Sequence, residues 1–302
     1  MKGFGKIIFL LIVYFISQKN DCRSQNGILV IQTDFGVKDG AVSAMKGVIM
    51  QVDPSLKVFD LTHEIPAYNI WEGAYRLNQV AEYYPKGTVF VSVVDPGVGS
   101  DRKPIVAQTK NGYYFVTPDN GTLTFIAEHF GIAAVRMIDE KVNRLPGSSE
   151  SYTFHGRDVF AYTAARLAAH KISYIQVGPS LPAKVISIPY QPANGENGVI
   201  KGNIPVLDVQ YGNVWTNIPL SLLQKAGIHY GDKVLVTISN GGNVKYTDTV
   251  LFGKSFSDVA EQKEISYVNS LLNFSIAINM GNFALKHGIA SGGEWSIIVK
   301  KN

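Results

Sequence analysis

The stretch ILVIQTDFG at residues 28–36 decides the fold of the N-terminal half of this chain. It is a short, mainly apolar run that ends in Thr-Asp-Phe-Gly, where the Asp and Gly mark a turn. A run of this length bounded by a turn is typical of a strand buried in a sheet. Similar runs follow at residues 56–61, 88–94, 104–109 and 113–117.

Helical stretches alternate with these runs, at about residues 40–51, 70–83, 122–130 and 157–169. Strand, helix and strand in succession predict βαβ units, and hence an α/β domain built on a mostly parallel sheet. In such sheets ligands bind beyond the carboxyl ends of the strands. Asp34, Asp95 and Asp119 each follow a predicted strand, so we expect these carboxylates at that edge.

The pattern changes near residue 189. Residues 189–198, PYQPANGENG, are rich in Pro, Gly and Asn and predict a linker. It would join an N-terminal α/β domain, residues 25–188, to a C-terminal domain, residues 199–302. The second domain contains short strand-like runs at residues 204–209, 233–239, 244–251 and 295–299. They predict a smaller β domain, either barrel-like or a sandwich.

Composition limits the kinds of partner. The chain has 302 residues, of which 46% are hydrophobic and 17% charged, as in a globular protein with a large core. The formal net charge is +4, and Lys and Arg form no cluster of the kind that binds nucleic acid, so we expect no nucleic-acid partner. The usual metal-ligand spacings, such as HExxH or paired CxxC, do not occur in the sequence, so we expect no metal site.

Residues 1–24 have the layout of a secretory signal peptide. Two lysines precede an apolar run at residues 7–16, and a polar stretch that includes Cys22 and Ser24 follows. The run is shorter than the roughly 20 residues of a membrane-spanning helix, and small residues commonly precede a cleavage site. We expect cleavage before Gln25 and export to the periplasm or the medium. The alternatives are an uncleaved anchor and a cytoplasmic protein whose N-terminal segment is not a signal.

Three motifs carry candidate functional residues. They are VVDPGVGSDR at residues 93–102, TFHGRD at 153–158 and DVQYGNVWTNI at 208–218. Asp95 ends an apolar strand, and the Pro-Gly-Val-Gly that follows leaves its carboxylate accessible. An Asp before Pro-Gly is also a common turn residue, and one His such as His155 is more often structural than catalytic. These residues by themselves leave the function open.

Together with TDFG at residues 33–36, the three motifs resemble the S-adenosyl-L-methionine hydrolase family, also called S-adenosyl-L-methionine hydroxide adenosyltransferases, which is related to fluorinases and chlorinases. The resemblance runs from about residue 28 to about residue 299. It implies hydrolysis of S-adenosyl-L-methionine to adenosine and L-methionine, with no further cofactor. It also implies a homotrimer whose sites lie between the α/β domain of one subunit and the β domain of the next.

The resemblance implies that Asp95, Arg102 and His155 form the catalytic triad that orients and polarises the attacking water. Arg102 follows Asp95 by seven residues, as in the family. The main physical task is positioning, because the sulfonium of S-adenosyl-L-methionine leaves the ribose C5′ as a neutral thioether and needs no acid. A cluster of these three side chains can hold one water, and the guanidinium favours hydroxide character in a closed site.

The resemblance also implies eight substrate-binding residues. Asp34 would bind the two ribose hydroxyls, and Tyr68 would form an aromatic wall against the sugar. Asp208 would bind the methionine ammonium and Asn213 the adenine. The others in the same pocket are Thr153, Phe154, Tyr211 and Ser275. Core packing of Tyr68 and turn formation at Asn213 are the structural alternatives.

Two rival functions belong to other classes. A halide-using transferase of the related type has Tyr at the position of Asp95 and Tyr-Ser at the position of His155-Gly156. A carboxylate at residue 95 would also repel a halide, at a cost comparable to that of a buried unpaired charge. A non-catalytic protein that binds adenosine or S-adenosyl-L-methionine would keep the pocket without the chemistry. The intact Asp95, Arg102 and His155 favour hydrolysis over both.

Overall fold

The structure, a computed structural model, describes residues 25–302; the predicted signal peptide lies outside the described residues. Seven strands of the first half form one sheet. They are Ile28–Thr33 (β1), Lys57–Thr62 (β2), Val89–Val93 (β3), Pro104–Thr109 (β4), Tyr114–Pro118 (β5), Ile132–Met137 (β6) and Ser180–Leu181 (β7). Their order across the sheet is β2-β1-β3-β5-β4-β6-β7. The predicted α/β class is confirmed, and all five predicted strands are present.

Only half of this sheet, from β2 to β5 in the strand order, is parallel. Strands β2, β1, β3 and β5 run parallel to one another, whereas β4 pairs antiparallel with both β5 and β6, and β6 pairs antiparallel with β7. The difference from the expected mostly parallel sheet begins at the short β4–β5 connection. Gly112 in this connection has φ +94°, and so tight a turn can only join antiparallel strands.

Helices cover both faces of the sheet. They are Ala41–Val52 (α1), Ile70–Ala81 (α2), Thr124–Phe130 (α3) and Tyr162–Ala168 (α4), the last preceded by a π-helical segment at Gly156–Ala161. Successive residues of a strand point to opposite faces. In β1, Leu29 and Ile31 pack with α1 and α4, and Val30 packs with α2 and α3. The apolar runs that predicted these strands are therefore explained by burial on two faces.

Nine strands and two helices form the second half. They are Asn194–Glu196 (β8), Val199–Ile204 (β9), Val206–Asp208 (β10), Asn213–Pro219 (β11), Leu220–Lys225 (α5), Lys233–Asn240 (β12), Asn243–Phe252 (β13), Glu264–Val268 (β14), Asn273–Ile278 (β15), Phe283–His287 (α6) and Gly292–Lys301 (β16). The strand order is β10-β11-β15-β14-β13-β12-β16-β9-β8. The sheet curls until β9 meets β11, where Asn203 N donates to Asn217 Oδ1 at 2.7 Å. The predicted barrel-like domain is present.

The segment between the two sheets differs in part from the predicted linker. Residues 182–193 form neither helix nor strand, but residues 194–196 form β8 and pair with β9. The two halves also touch directly, because Trp71 Nε1 donates to Pro205 O at 2.7 Å and Trp71 packs in one apolar cluster with Val206. Among residues 25–302, no helix combines the length and the apolar character needed to cross a membrane.

Candidate functional site

Three parallel strands deliver carboxylates to the same edge of the first sheet. Asp34 follows β1, Asp95 follows β3 and Asp119 follows β5, as the sequence predicted. Asp34 Oδ2 accepts a hydrogen bond from Tyr68 N at 2.8 Å. Tyr68 adopts φ +68°, an uncommon conformation for a residue with a side chain, and the residue is 72% exposed. The backbone of Tyr68 therefore binds the Asp34 carboxylate, and its exposed side chain does not pack in the core.

Asp95 and Arg102 form a bidentate ion pair. Arg102 Nε donates to both carboxylate oxygens of Asp95 at 3.0 Å, and Nη2 donates to Oδ2 at 2.7 Å. The exposed fractions of the two side chains are 9% for Arg102 and 5% for Asp95. Two parallel charge-assisted bonds fix the relative orientation of a guanidinium and a carboxylate. The predicted proximity of these residues is therefore present in the structure.

The loop between them explains how they meet. Val98 N donates to Asp95 O and Ser100 N donates to Gly97 O, so the chain makes two successive turns. A Cβ on Gly97 would lie 3.1 Å from Ser100 Oγ and 3.3 Å from Arg102 Cγ. Glycine at this position lets the side chain of Arg102 fold back onto Asp95.

His155 completes the triad from the start of the π-helical segment. Its Nδ1 lies 2.7 Å from Arg102 Nη2, and because a guanidinium only donates, Nδ1 accepts and Nε2 carries the proton. Burial lowers the pKa of His155, and the adjacent Arg102 guanidinium lowers it further. His155 Nε2 is buried and has no hydrogen-bond partner among the described residues. The geometry thus gives a neutral imidazole with one unused donor.

Thr153 and Phe154 differ in their surroundings. Thr153 is exposed, and the Phe154 ring packs edge-on against Phe35 with centroids 5.9 Å apart. Arg157 lies over the other side of Phe154, 4.8 Å from the ring centroid. A Cβ on Gly156 would lie 3.1 Å from the Phe35 ring. The segment that bears His155 therefore packs directly on the turn that bears Asp34.

The predicted residues of the β domain form a second cluster. Asp208 and Asn213 lie opposite each other on β10 and β11, and Asn213 Nδ2 donates to Asp208 Oδ2 at 3.3 Å. Ser275 on β15 is buried and its hydroxyl accepts from Asn269 Nδ2 at 3.0 Å. Tyr211 lies in the turn between β10 and β11, and the residue is 64% exposed. Asn213 therefore lies in a strand and points a side chain at Asp208.

Sequence analysis missed two aromatic members of this cluster. Tyr267 on β14 and Trp215 on β11 both lie opposite Ser275 in the sheet. Burial raises the pKa of Tyr267 to about 12, with the Asp208 carboxylate as a further cause. These aromatics belong to strands that no sequence pattern predicted, and only the pairing of β14, β15 and β11 brings them together.

The two clusters are not bonded to each other within residues 25–302. Between the triad and the β-domain cluster, the residues from 25 to 302 make no hydrogen bond, ion pair or ring contact. An exposed apolar or aromatic side chain lies close in sequence to each cluster: Tyr152 three residues before His155, and Val209 next to Asp208. A cleft of about 340 Å³ between α2 and residues 270–273 contains none of the predicted site residues.

Two family domains account for most of the chain. Residues 29–178 match the SAM hydroxide adenosyltransferase N-terminal domain, and residues 202–296 match the SAM hydroxide adenosyltransferase C-terminal domain. The chain belongs to the SAM hydroxide adenosyltransferase family. No group of three or more His, Cys, Asp or Glu side chains within residues 25–302 is arranged to hold a metal ion.

Similar proteins include hydrolases and fluorinases. An (R)-S-adenosyl-L-methionine hydrolase of Salinispora tropica is 33% identical over 262 residues, 86% of this chain and 93% of that protein. One of Methanocaldococcus jannaschii is 46% identical over 144 residues, a match that spans 46% of this chain and about half, 52%, of that protein. A fluorinase of Actinoplanes is 27% identical over 88% of this chain and 96% of that protein. The crystal structure of an uncharacterized conserved protein from Thermotoga maritima superposes with a TM-score of 0.81 at 33% identity, covering 90% of this chain and 100% of that chain.

Proposed function

We propose that this protein hydrolyses S-adenosyl-L-methionine to adenosine and L-methionine by attack of water on the ribose C5′. The observation that carries the proposal is the Asp95–Arg102–His155 cluster, with bonds of 2.7 to 3.0 Å. Similarity to the S. tropica hydrolase over 86% of the chain supports the same reaction class. The fluorinase similarity is lower in identity, and the chain carries a carboxylate where a halide would have to approach.

We propose a different role for each member of the triad, based on its hydrogen bonds. His155 cannot accept a proton from water in this arrangement, because Nδ1 is occupied by Arg102 and Nε2 carries a proton. Asp95 remains the acceptor: each oxygen has capacity beyond its bonds to Arg102. In the proposed reaction Asp95 accepts a proton from the attacking water, Arg102 stabilises the hydroxide character of that water, and His155 holds Arg102 in place. The water oxygen bonds to the ribose C5′ as the C5′–S bond breaks, methionine leaves as a neutral thioether, and Asp95 then releases the proton to solvent.

The proposed substrate contacts divide between the two clusters. Asp34 is proposed to bind the ribose diol, because Tyr68 N occupies one oxygen and leaves the other available. Thr153, Phe154 and the Tyr68 ring are proposed to line the sugar. On the β domain, Asp208 would bind the ammonium and Asn213 the adenine edge, with Tyr211 and Ser275 beside them. The leaving thioether needs neither acid nor Lewis acid, so the proposed reaction uses no metal and no cofactor besides the substrate itself.

We further propose a homotrimer in which each site combines the triad of one subunit with the β-domain cluster of the next. Two observations support it: no hydrogen bond, ion pair or ring contact joins the clusters within residues 25–302, and an exposed side chain with a large apolar surface adjoins each cluster in sequence. Mixing Asp95→Ala and Asn213→Ala proteins, after dissociation and reassembly, tests the arrangement. Sites shared between subunits predict recovered activity, because some mixed sites contain neither substitution. Assayed at substrate concentrations well below the raised KM of Asn213→Ala, sites within single subunits predict no activity above that of the two unmixed proteins, whatever the mass of the oligomer.

The reaction itself is tested by product analysis. Purified protein incubated with S-adenosyl-L-methionine in ¹⁸O-water should give adenosine labelled at the 5′ hydroxyl, and chloride or fluoride should give no 5′-halo product. The label should enter in the first turnover, because direct displacement passes through no enzyme ester. Binding without turnover would support a non-catalytic binding protein, and 5′-chloroadenosine would support a halide transferase.

Export remains a proposal based on the layout of residues 1–24. Expression in a bacterial host with an envelope should give a mature protein that begins near Gln25 and lacks Cys22. Full-length protein recovered only from the cytosol would contradict export.

A further inference from the structure

A buried series of side-chain hydrogen bonds adjoins the turn that carries Asp34. Thr33 Oγ1 lies 2.8 Å from His63 Nδ1, and His63 Nε2 lies 3.0 Å from Asp60 Oδ1. Thr33 is completely buried and His63 is 4% exposed, whereas Asp60 reaches the surface. The three residues come from the ends of neighbouring strands β1 and β2, so the parallel pairing of these strands brings them together.

The direction of each hydrogen bond in this series follows from the Asp60 carboxylate at one end and the Thr33 hydroxyl at the other. A carboxylate only accepts, so His63 Nε2 carries a proton and donates to Asp60. In the neutral imidazole, Nδ1 then accepts from the Thr33 hydroxyl. Thr33 Oγ1 in turn accepts from Phe35 N at 3.2 Å. The series of bonds therefore fixes the backbone one residue beyond Asp34.

The same segment holds the turn at two further points. Gly36 N donates to the carbonyl oxygen of His63 at 2.7 Å, and Tyr68 N donates to Asp34 Oδ2 at 2.8 Å. Gly36 has φ +68°, which a glycine adopts without strain. The turn is thus anchored before, at and after Asp34 by residues that follow β2.

The anchored turn also contacts the segment of the catalytic histidine. Phe35 packs edge-on against Phe154, and Gly156 leaves room for the Phe35 ring, which a Cβ there would approach to 3.1 Å. Phe35 therefore connects the turn that carries Asp34 to the segment that carries His155. A shift of the turn would move both the Asp34 carboxylate and the surface on which His155 rests.

We propose that His63 is a positioning residue, which acts through Thr33 and Asp60 to hold Asp34 in the orientation that binds the ribose diol. The inference rests on the proposed function, in which Asp34 makes this contact. His63 itself touches neither the triad nor the Asp34 carboxylate. Its effect should therefore appear in binding of the nucleoside and disappear when Asp34 is removed.

A double-mutant cycle between Thr33→Val and Asp34→Ala tests this proposal. Valine keeps the volume of Thr33 and removes the hydroxyl. Adenosine affinity, measured by calorimetry, should fall about tenfold in Thr33→Val, the scale of one lost hydrogen bond in a buried site. KM should rise in parallel, with a smaller change in kcat. In the Asp34→Ala background the same substitution should change adenosine affinity by less than about twofold.

A matched control exists in the same segment. Thr62 Oγ1 accepts from Glu64 N at 3.1 Å, the same local turn that Thr33 makes with Phe35. No histidine bond to the Thr62 hydroxyl is present in the described structure, so Thr62→Val should leave adenosine affinity unchanged. Unchanged affinity in Thr33→Val, or an equal loss with and without Asp34, would overturn the positioning role.

Asp60→Asn provides a second route if Thr33→Val fails to fold. Asp60 lies partly at the surface, and asparagine removes the charge that orients His63 Nε2–H. Adenosine affinity should fall in the same direction, whereas Lys46→Met, which removes the other partner of Asp60, should leave it near the wild-type value. Equal affinities for Asp60→Asn and wild type would overturn the proposal. If the wild-type protein binds adenosine but does not hydrolyse S-adenosyl-L-methionine, the proposed reaction is wrong. The double-mutant cycle between Thr33→Val and Asp34→Ala would still test the role of His63, because it measures adenosine binding.

Discussion

The triad and the β-domain cluster are built by different kinds of interaction. Asp95, Arg102 and His155 are joined by charge-assisted bonds of 2.7 to 3.0 Å in a nearly closed environment. Asp208 and Asn213 share a single bond of 3.3 Å, beside an exposed Tyr211. A buried charge without a partner is costly, so the triad has to be paired within its own chain. In the β-domain cluster the Asp208 carboxylate belongs to a half-buried residue and Tyr211 is exposed, so this cluster remains open to a second surface.

The largest expected effect concerns the triad. Asp95→Ala, Arg102→Ala and His155→Ala should each lower kcat by about 100-fold or more, the scale of a positioned acid–base group. Adenosine affinity should change much less, because the nucleoside contacts lie elsewhere. Asp101→Ala is the matched control, since Asp101 is an exposed carboxylate of the same loop. Near wild-type turnover in all three triad variants would remove the triad from the reaction.

The β-domain cluster should respond in binding and not in the chemical step. Asn213→Ala should weaken adenosine binding by about 1–3 kcal/mol, as expected for a buried polar partner left unpaired. Calorimetry with adenosine measures this change directly. Asn243→Ala, at an exposed position on β13, serves as the control for loss of an amide. Unchanged adenosine affinity in Asn213→Ala would mean that the adenine binds outside this cluster. The β-domain cluster would then not be the part of the site that binds the nucleoside.

The loop that closes the triad offers a smaller, graded test. Gly97→Ala would place a Cβ 3.3 Å from Arg102 Cγ, so the arginine has to shift by a few tenths of an ångström. We expect kcat to fall about tenfold, because catalysis depends on the position of these groups. Gly40→Ala, where a Cβ meets nothing within 4 Å, should leave kcat unchanged. Wild-type kcat in Gly97→Ala would show that the Arg102 position tolerates displacement.

The same contrast explains what the sequence could predict. Strands β1, β3 and β5 are buried on both faces and appear as continuous apolar runs. Strands β11 and β15 were missed because buried Thr216 and Ser275 interrupt their apolar pattern. Asp95, Arg102 and His155 were predicted as a set only through the resemblance of their motifs to the hydrolase family. His63 was missed because its partner Thr33 lies 30 residues away, and only strand pairing brings them together.

The smallest expected effect is on stability at acidic pH, and it concerns His155. Burial and Arg102 lower the pKa of His155 in the folded protein below its value in the unfolded chain. As the pH falls below about 6.5, the unfolded chain therefore binds a proton that the folded protein does not, and stability decreases. His155→Gln removes this term, so the loss of melting temperature between about pH 7.5 and about pH 5.5 should be smaller in the variant than in wild type. His229→Gln, at an exposed imidazole, is the control and should retain the wild-type difference. A larger loss in His155→Gln would mean that the folded triad favours a protonated imidazole, and Arg102 could then no longer donate to Nδ1.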